Sequence, residues 1–208
     1  HQAVGVHLSE HLADEDGAFS DWIEVFNPDA AAVNLNGWYL TDSATNKTKW
    51  QFPAVTIAAF EPDPGNFSKL SRLVKSSIPP LAKNVALYPC GVWSHTTQLN
   101  FSSGAASGSH LSSTGETRVQ CVSLDEVLHG FDPTFIKMDI EGAEYQALLG
   151  AKEMIHRNKP RLAICLYHRP GHLWQIPLLL QEWRLGYDFY LRAYCYTGFD
   201  LVLYAVNK

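Results

Sequence analysis

Apolar positions follow two different rhythms along the chain. As far as Ala59 they come in short runs, Val4–Leu8, Asp21–Phe26, Gly37–Thr41 and Val55–Ala59, separated by turn formers such as Asp14-Glu15-Asp16-Gly17, Asn27-Pro28-Asp29 and Asp42-Ser43. Runs of this length and alternation predict strands. Trp22, Trp38 and Trp50 offer large anchors for a small sandwich core. No helical period precedes Phe60.

After Phe60 strands and helices alternate, the pattern of a mostly parallel sheet covered on both faces. Asn66–Lys75 places Phe67, Leu70, Leu73 and Val74 on one side of a helix that Ile78-Pro79-Pro80 stops. Val85–Tyr88, Arg118–Ser123 and Thr134–Asp139 read as strands, with a short helix near Asp125–Leu128 and a Ser- and Gly-rich loop from Ser102 to Glu116. Glu144–His156 predicts one long helix ended by Asn158-Lys159-Pro160. Arg161–Leu166 is apolar enough to be a strand buried on both faces. A further helix is expected from about Pro177 to a left-handed cap at Gly186. Tyr187–Tyr194 and Asp200–Val206 then close the chain as an antiparallel hairpin about Thr197-Gly198.

Composition narrows the classes. The 208 residues are 46% hydrophobic and 18% charged, with a formal net charge of −5, so nothing draws the chain to nucleic acid or an anionic membrane surface. No apolar run approaches the roughly 20 residues of a membrane span. Cys90, Cys121, Cys165 and Cys195 never form C-x-x-C, which argues against a zinc knuckle or redox pair. Buried, reduced thiols are expected instead, and with them a reducing, cytoplasmic setting.

Several stretches together carry a resemblance: Phe60-Glu61-Pro62-Asp63-Pro64 with Asn66-Phe67, Val122-Ser123-Leu124-Asp125-Glu126-Val127, Phe135-Ile136-Lys137-Met138-Asp139-Ile140-Glu141-Gly142-Ala143-Glu144, Tyr167-His168-Arg169-Pro170 with Leu173-Trp174, and Thr197 to Tyr204. In this register residues 59–208 resemble the FkbM methyltransferases. The resemblance implies a Rossmann-like sheet, S-adenosylmethionine as donor, and methyl transfer to a hydroxyl of a sugar or polyketide-like small molecule. Residues 1–58 resemble part of a lamin-tail domain, an immunoglobulin-like sandwich, through Asp21-Trp22-Ile23-Glu24-Val25-Phe26-Asn27-Pro28, Gly37-Trp38-Tyr39-Leu40-Thr41-Asp42 and Lys49-Trp50-Gln51-Phe52-Pro53. That likeness implies a non-catalytic segment suited to protein contacts. The fold class expected is therefore α/β: an incomplete Rossmann-like methyltransferase sheet with a C-terminal antiparallel hairpin, preceded by a β-rich, partial immunoglobulin-like segment.

Candidate site residues follow from position. Glu61, just past a strand, can accept hydrogen bonds from both ribose hydroxyls of a nucleotide-like cofactor, and Asp63 shares its proline-stiffened turn; each can equally be a solvated acid at a strand end. Asp139 ends a strand on the edge where open α/β sheets bind ligands. Its carboxylate can hold an acceptor hydroxyl, with Glu141 beside it, or Asp139, Glu141 and Glu144 can simply complement the positive end of the next helix. His168, at the end of the following strand, can take the hydroxyl proton or serve as a hydrogen-bonded structural histidine. His168 and His172 have metal-like spacing, but Pro170-Gly171 between them sets a metal site aside.

The family's first strand and its Asp-x-Gly-Ala-Asn-x-Gly donor loop find no match between His1 and Ala59. Without that central strand its two neighbours would lack partners, and each buried unpaired group costs roughly 1–3 kcal/mol. Trp22–Phe26 or Gly37–Thr41 is expected to pair in its place. The missing loop leaves two functional readings open: an active O-methyltransferase, or a non-catalytic fusion that keeps the family's scaffold without its donor.

Overall fold

A computed structural model of the chain describes residues 6–7, 24–25, 39–40, 45, 50–51, 56–77, 84–102, 110–111, 117–194 and 200–207. The chain divides into two compact units, residues 1–58 with 69–86, and residues 59–68 with 87–208.

In the first unit β1 (Val6–His7) pairs antiparallel with β2 (Glu24–Val25), and β3 (Tyr39–Leu40) with β4 (Trp50–Gln51). β2 and β3 are the described parts of the two strands expected to fill the missing central place; among the described residues β2 pairs with β1 and β3 with β4. β5 (Ile57–Phe60) and β6 (Val85–Tyr88), which precede and follow helix α1 (Pro64–Ser77) in the chain, pair as a two-stranded sheet; the residues of all three elements are divided between the two units. Ile57 N–H donates to Asn84 O at 2.8 Å, Glu61 N–H to Tyr88 O at 3.1 Å, and Phe60 stacks on Tyr88 with ring centroids 4.6 Å apart.

The second unit holds two four-stranded sheets. One has the order β7-β10-β8-β9, from β7 (Gly91–Val92), β8 (Thr97–Ser102), β9 (His110–Leu111) and β10 (Thr117–Val122). β10 is parallel to β7 and antiparallel to β8, and Phe101, Val119 and Cys121 make its core with Trp93 and Leu99. Strands β8 and β9 correct the sequence reading: β9 interrupts the expected Ser102–Glu116 loop, whose residues 103–109 and 112–116 lie outside the described ones. Leu99 and Phe101 alternate with polar Gln98 and Asn100, a strand signal diluted by the Ser and Gly that follow.

The other sheet has the order β11-β12-β14-β13, from β11 (Phe135–Met138), β12 (Arg161–Cys165), β13 (Tyr187–Ala193) and β14 (Leu201–Asn207). β11 and β12 are parallel; β14 runs antiparallel to both β12 and β13. The expectation of a mostly parallel sheet holds for three described junctions, β7–β10, β11–β12 and, by the bonds Ile57 N–H to Asn84 O and Glu61 N–H to Tyr88 O, β5–β6; the others described are antiparallel. β12, flanked on both sides, is buried from Leu162 to Cys165, as its unbroken apolar run requires. The hairpin of β13 and β14 stands as expected; its turn, with Cys195, lies outside the described residues.

The helices of this unit are α2 (Leu124–Val127), α3 (Glu144–Leu149), α4 (Lys152–Asn158) and α5 (His172–Glu182). Two differ from expectation. The helix expected over Glu144–His156 breaks at Gly150, where a Cβ would overlap the Trp93 carbonyl. The Gly150 carbonyl is diverted out of the helix ladder to Ser123 Oγ (2.8 Å) and the Asp125 N–H (2.9 Å). The Asp125 carboxylate in turn accepts the Glu153 and Met154 N–H groups at 3.0 and 2.8 Å, supplying the cap that α4 lacks from its own preceding residue. Helix α5 starts five residues before Pro177, because the Arg169 and Gly171 carbonyls already accept the His172 and Gln175 N–H groups. Pro177 then sits inside the helix, and the carbonyl it leaves without an intrahelical donor belongs to Leu173, an exposed residue. Leu148, Met154, Ile155, Leu162, Ile164, Ile176 and Leu180 are fully buried and form the centre of the unit. Each side chain of this kind contributes about 1.5–3 kcal/mol. No helix among the described residues is long and apolar enough to cross a membrane.

Candidate active site

The parallel strands β11 and β12 end side by side, and their C-terminal ends bring Asp139 and His168 together. Asp139 follows β11 directly. Its Oδ1 accepts the Tyr167 hydroxyl at 3.0 Å and its Oδ2 the Lys137 ammonium at 3.1 Å. Burial pushes the Asp139 carboxyl up, but the hydrogen bonds from Lys137 and Tyr167 and the Lys137 charge outweigh it and hold the group below the usual range.

The turn after Asp139 is shaped by Glu144. Glu141 and Gly142 take positive φ, 55° and 92°, and the Ile140 and Gly142 N–H groups bond to Glu144 Oε1 at 3.0 and 3.4 Å. Gly142 is required there: a Cβ would lie 2.7 Å from Arg169 Nε, quite apart from the left-handed backbone. The Glu144 side chain, wholly buried, ends between two imidazoles. His168 Nδ1 stands 2.7 Å from its Oε1 and His172 Nδ1 3.2 Å from its Oε2. Burial opposes ionisation of Glu144, yet the His168 hydrogen bond and the Ile140 N–H bring its pKa below the ordinary value.

His168 is 7% exposed in its side chain, which makes its unused nitrogen informative. With Nδ1 donating to Glu144, the imidazole turns Nε2 away from Glu144, 3.5 Å from Asp139 Oδ1 and 3.6 Å from Glu141 Oε2, buried and without a hydrogen-bond partner. Burial lowers the pKa of His168, but Glu144 first, then Glu141 and Asp139, raise it above the ordinary 6.5. His172 differs: burial dominates and its pKa is lowered. A buried nitrogen with a raised proton affinity and no partner, rimmed by two carboxylates, is equipped to accept a proton from a bound hydroxyl.

The donor-side candidates lie in the β5–α1 turn. Glu61 Oε1 accepts the Asp63 N–H at 2.8 Å, and Asp63 Oδ1 accepts the Asn66 N–H at 2.8 Å. Asp63 is therefore the N-cap of α1, with Pro64 at the first helical position.

Of the five residues singled out in the sequence, the structure gathers Asp139, Glu141 and His168 into one cluster. Glu61 and Asp63 share the other turn, and among the described residues no hydrogen bond or ion pair joins Glu61 to that cluster. Glu144, read in the sequence as a helix-end acid, is the member that was undervalued. Its signal was the pair His168 and His172, which converge on a carboxylate rather than a metal. Among the described residues no three His, Cys, Asp or Glu side chains are placed to hold a metal ion.

The methyltransferase FkbM domain matches residues 24–189, most of the chain. The chain belongs to the FkbM methyltransferase family. The match begins at Glu24, inside the stretch that resembles a lamin tail. This FkbM chain is also similar in structure to methyltransferase FkbM from Methylobacillus flagellatus KT, with a TM-score of 0.61 and 28% identity over 73% of the chain. It spans 36% of that protein's length. No curated protein matches it.

Proposed function

We propose that this chain is an S-adenosylmethionine-dependent O-methyltransferase acting on a hydroxyl of a sugar or polyketide-like small molecule. The observation that carries the reading is the buried, unpartnered Nε2 of His168, held by Glu144 at the end of a parallel strand. S-adenosylmethionine, when bound, supplies an electrophilic methyl carbon. Glu61 would hold its ribose through Oε2, while Asp63 keeps the turn in place by capping α1. Asp139 and Glu141 orient the acceptor hydroxyl, and His168 Nε2 takes its proton as the oxygen acquires the methyl group. Glu144 stabilises the imidazolium that results. Positioning supplies most of the acceleration, since a primed sulfonium asks little of the base. The β-rich residues 1–58 serve protein contacts in this reading.

The competing reading is a non-catalytic member of the family, favoured by the lack of a glycine-rich donor loop before Glu61. Calorimetric titration with S-adenosylhomocysteine separates the two. Saturable binding that Glu61→Ala abolishes supports the enzyme; absence of binding by a folded chain supports the scaffold. Once an acceptor is found, the rate should rise with pH through an ionisation above 6.5 that disappears in His168→Gln.

A further inference from the structure

Strand β13 ends its sheet, with β14 as its one strand neighbour among the described residues. Just beyond β13, Tyr194 N–H donates to Asp200 O at 3.3 Å, towards β14. By strand alternation the backbone groups of Asp188, Tyr190 and Arg192 also turn to β14, and those of Tyr187, Phe189, Leu191 and Ala193 point outward. Along this open edge stand large apolar side chains on both faces: Phe189 is 37%, Tyr190 43% and Leu191 52% exposed. An edge of this kind is a template for another strand.

The edge is complementary to itself. Two antiparallel copies must set outward-pointing residues against outward-pointing ones, so the two-fold axis passes through a residue and not between two. Centred on Tyr190, the register puts Asp188 opposite Arg192 of a second copy, twice, with Tyr190 against Tyr190 between them. On the other face Phe189 meets Leu191, again twice. Centring on Phe189 or Leu191 sets Arg192 against Gly186 or Tyr190, and Asp188 against Tyr190 or Tyr194, losing both charge pairs. Opposite charges and aromatic–aliphatic pairs directly across a ladder are stabilising, and like charges there are not. We propose that the chain forms a homodimer by antiparallel pairing of β13 with β13 about Tyr190, which joins the two copies' sheets into one.

Analytical ultracentrifugation of the full chain over a concentration series tests this. The chain should dimerise reversibly. Arg192→Asp, which sets like charges across the ladder at both ends, should weaken the dimer by about tenfold or more. Asp188→Arg combined with Arg192→Asp should restore it. Leu191→Pro removes an outward N–H while sparing the β13–β14 ladder, and should give a monomer with unchanged circular dichroism. A chain that stays monomeric, an assembly larger than a dimer, or a dimer indifferent to both Arg192→Asp and Leu191→Pro overturns the proposal.

Discussion

The Glu144 cluster and the Glu61 turn are held together on different terms. Around Glu144, partners come from β11, its following turn, the end of β12 and the start of α5, and every one of them is buried or half-buried. Around Glu61 the side-chain bonds are local, spanning two and three residues, and the long-range tie is a backbone one, from the Glu61 N–H to Tyr88 O. A buried carboxylate between two imidazoles is expensive to form and persists only when the surrounding fold fixes it. A capped turn forms wherever its short sequence permits. The cluster is thus the part of the site that the tertiary structure specifies, and the turn is the part that the sequence alone can build.

Substitutions should rank accordingly. Glu144→Ala strands two buried imidazoles and the turn's N–H groups, and should cost about 3–5 kcal/mol in chemical denaturation. Gly150→Ala, which drives a methyl into the Trp93 carbonyl at the α3–α4 break, should cost about 1–3 kcal/mol. At the Glu61 turn Asp63→Ala removes a helix cap, worth about 1 kcal/mol. Glu61→Ala should leave stability within about 0.5 kcal/mol while eliminating S-adenosylhomocysteine binding. An Asp63→Ala loss equal to that of Glu144→Ala would erase the distinction between the two regions.

The same contrast explains what could be read in advance. Strand β12, the hairpin β13–β14 and helix α1 are continuous local patterns, whereas the residues that carry the family resemblance fall largely on strand ends and the turns that follow them. The break at Gly150 was hidden because its cause is remote: Trp93, Ser123 and Asp125 are distant in sequence and meet only in the fold. Strands β8 and β9 depend on pairing with β10 and with each other rather than on strong strand formers. That Asp139 and His168 come together was legible because each follows the end of one of two neighbouring strands. Glu144 was not, since one acid at a helix start does not reveal which imidazoles will reach it.

Protonation links the cluster to stability. His168, with a raised native pKa, stabilises the fold fully below 6.5 and loses that contribution as pH rises through its native value. Glu144, with a lowered one, contributes above 4.5 and fades as pH falls through its native value. Both contributions therefore stand together between pH 4.5 and 6.5. The lowered pKa of His172 opposes them, favouring the folded state less as pH falls below 6.5. The stability difference between the chain and His168→Gln should be greatest in that window and shrink on either side, as thermal melts across pH would read.

The most direct test of the cluster's role is an NMR pH titration of the His168 ring nitrogens in the chain and in Glu144→Gln. The account predicts that His168 titrates above 6.5 with Nδ1 protonated throughout, and that Glu144→Gln shifts its titration down. A His168 that titrates below 6.5, or one whose titration is unmoved by Glu144→Gln, would contradict it.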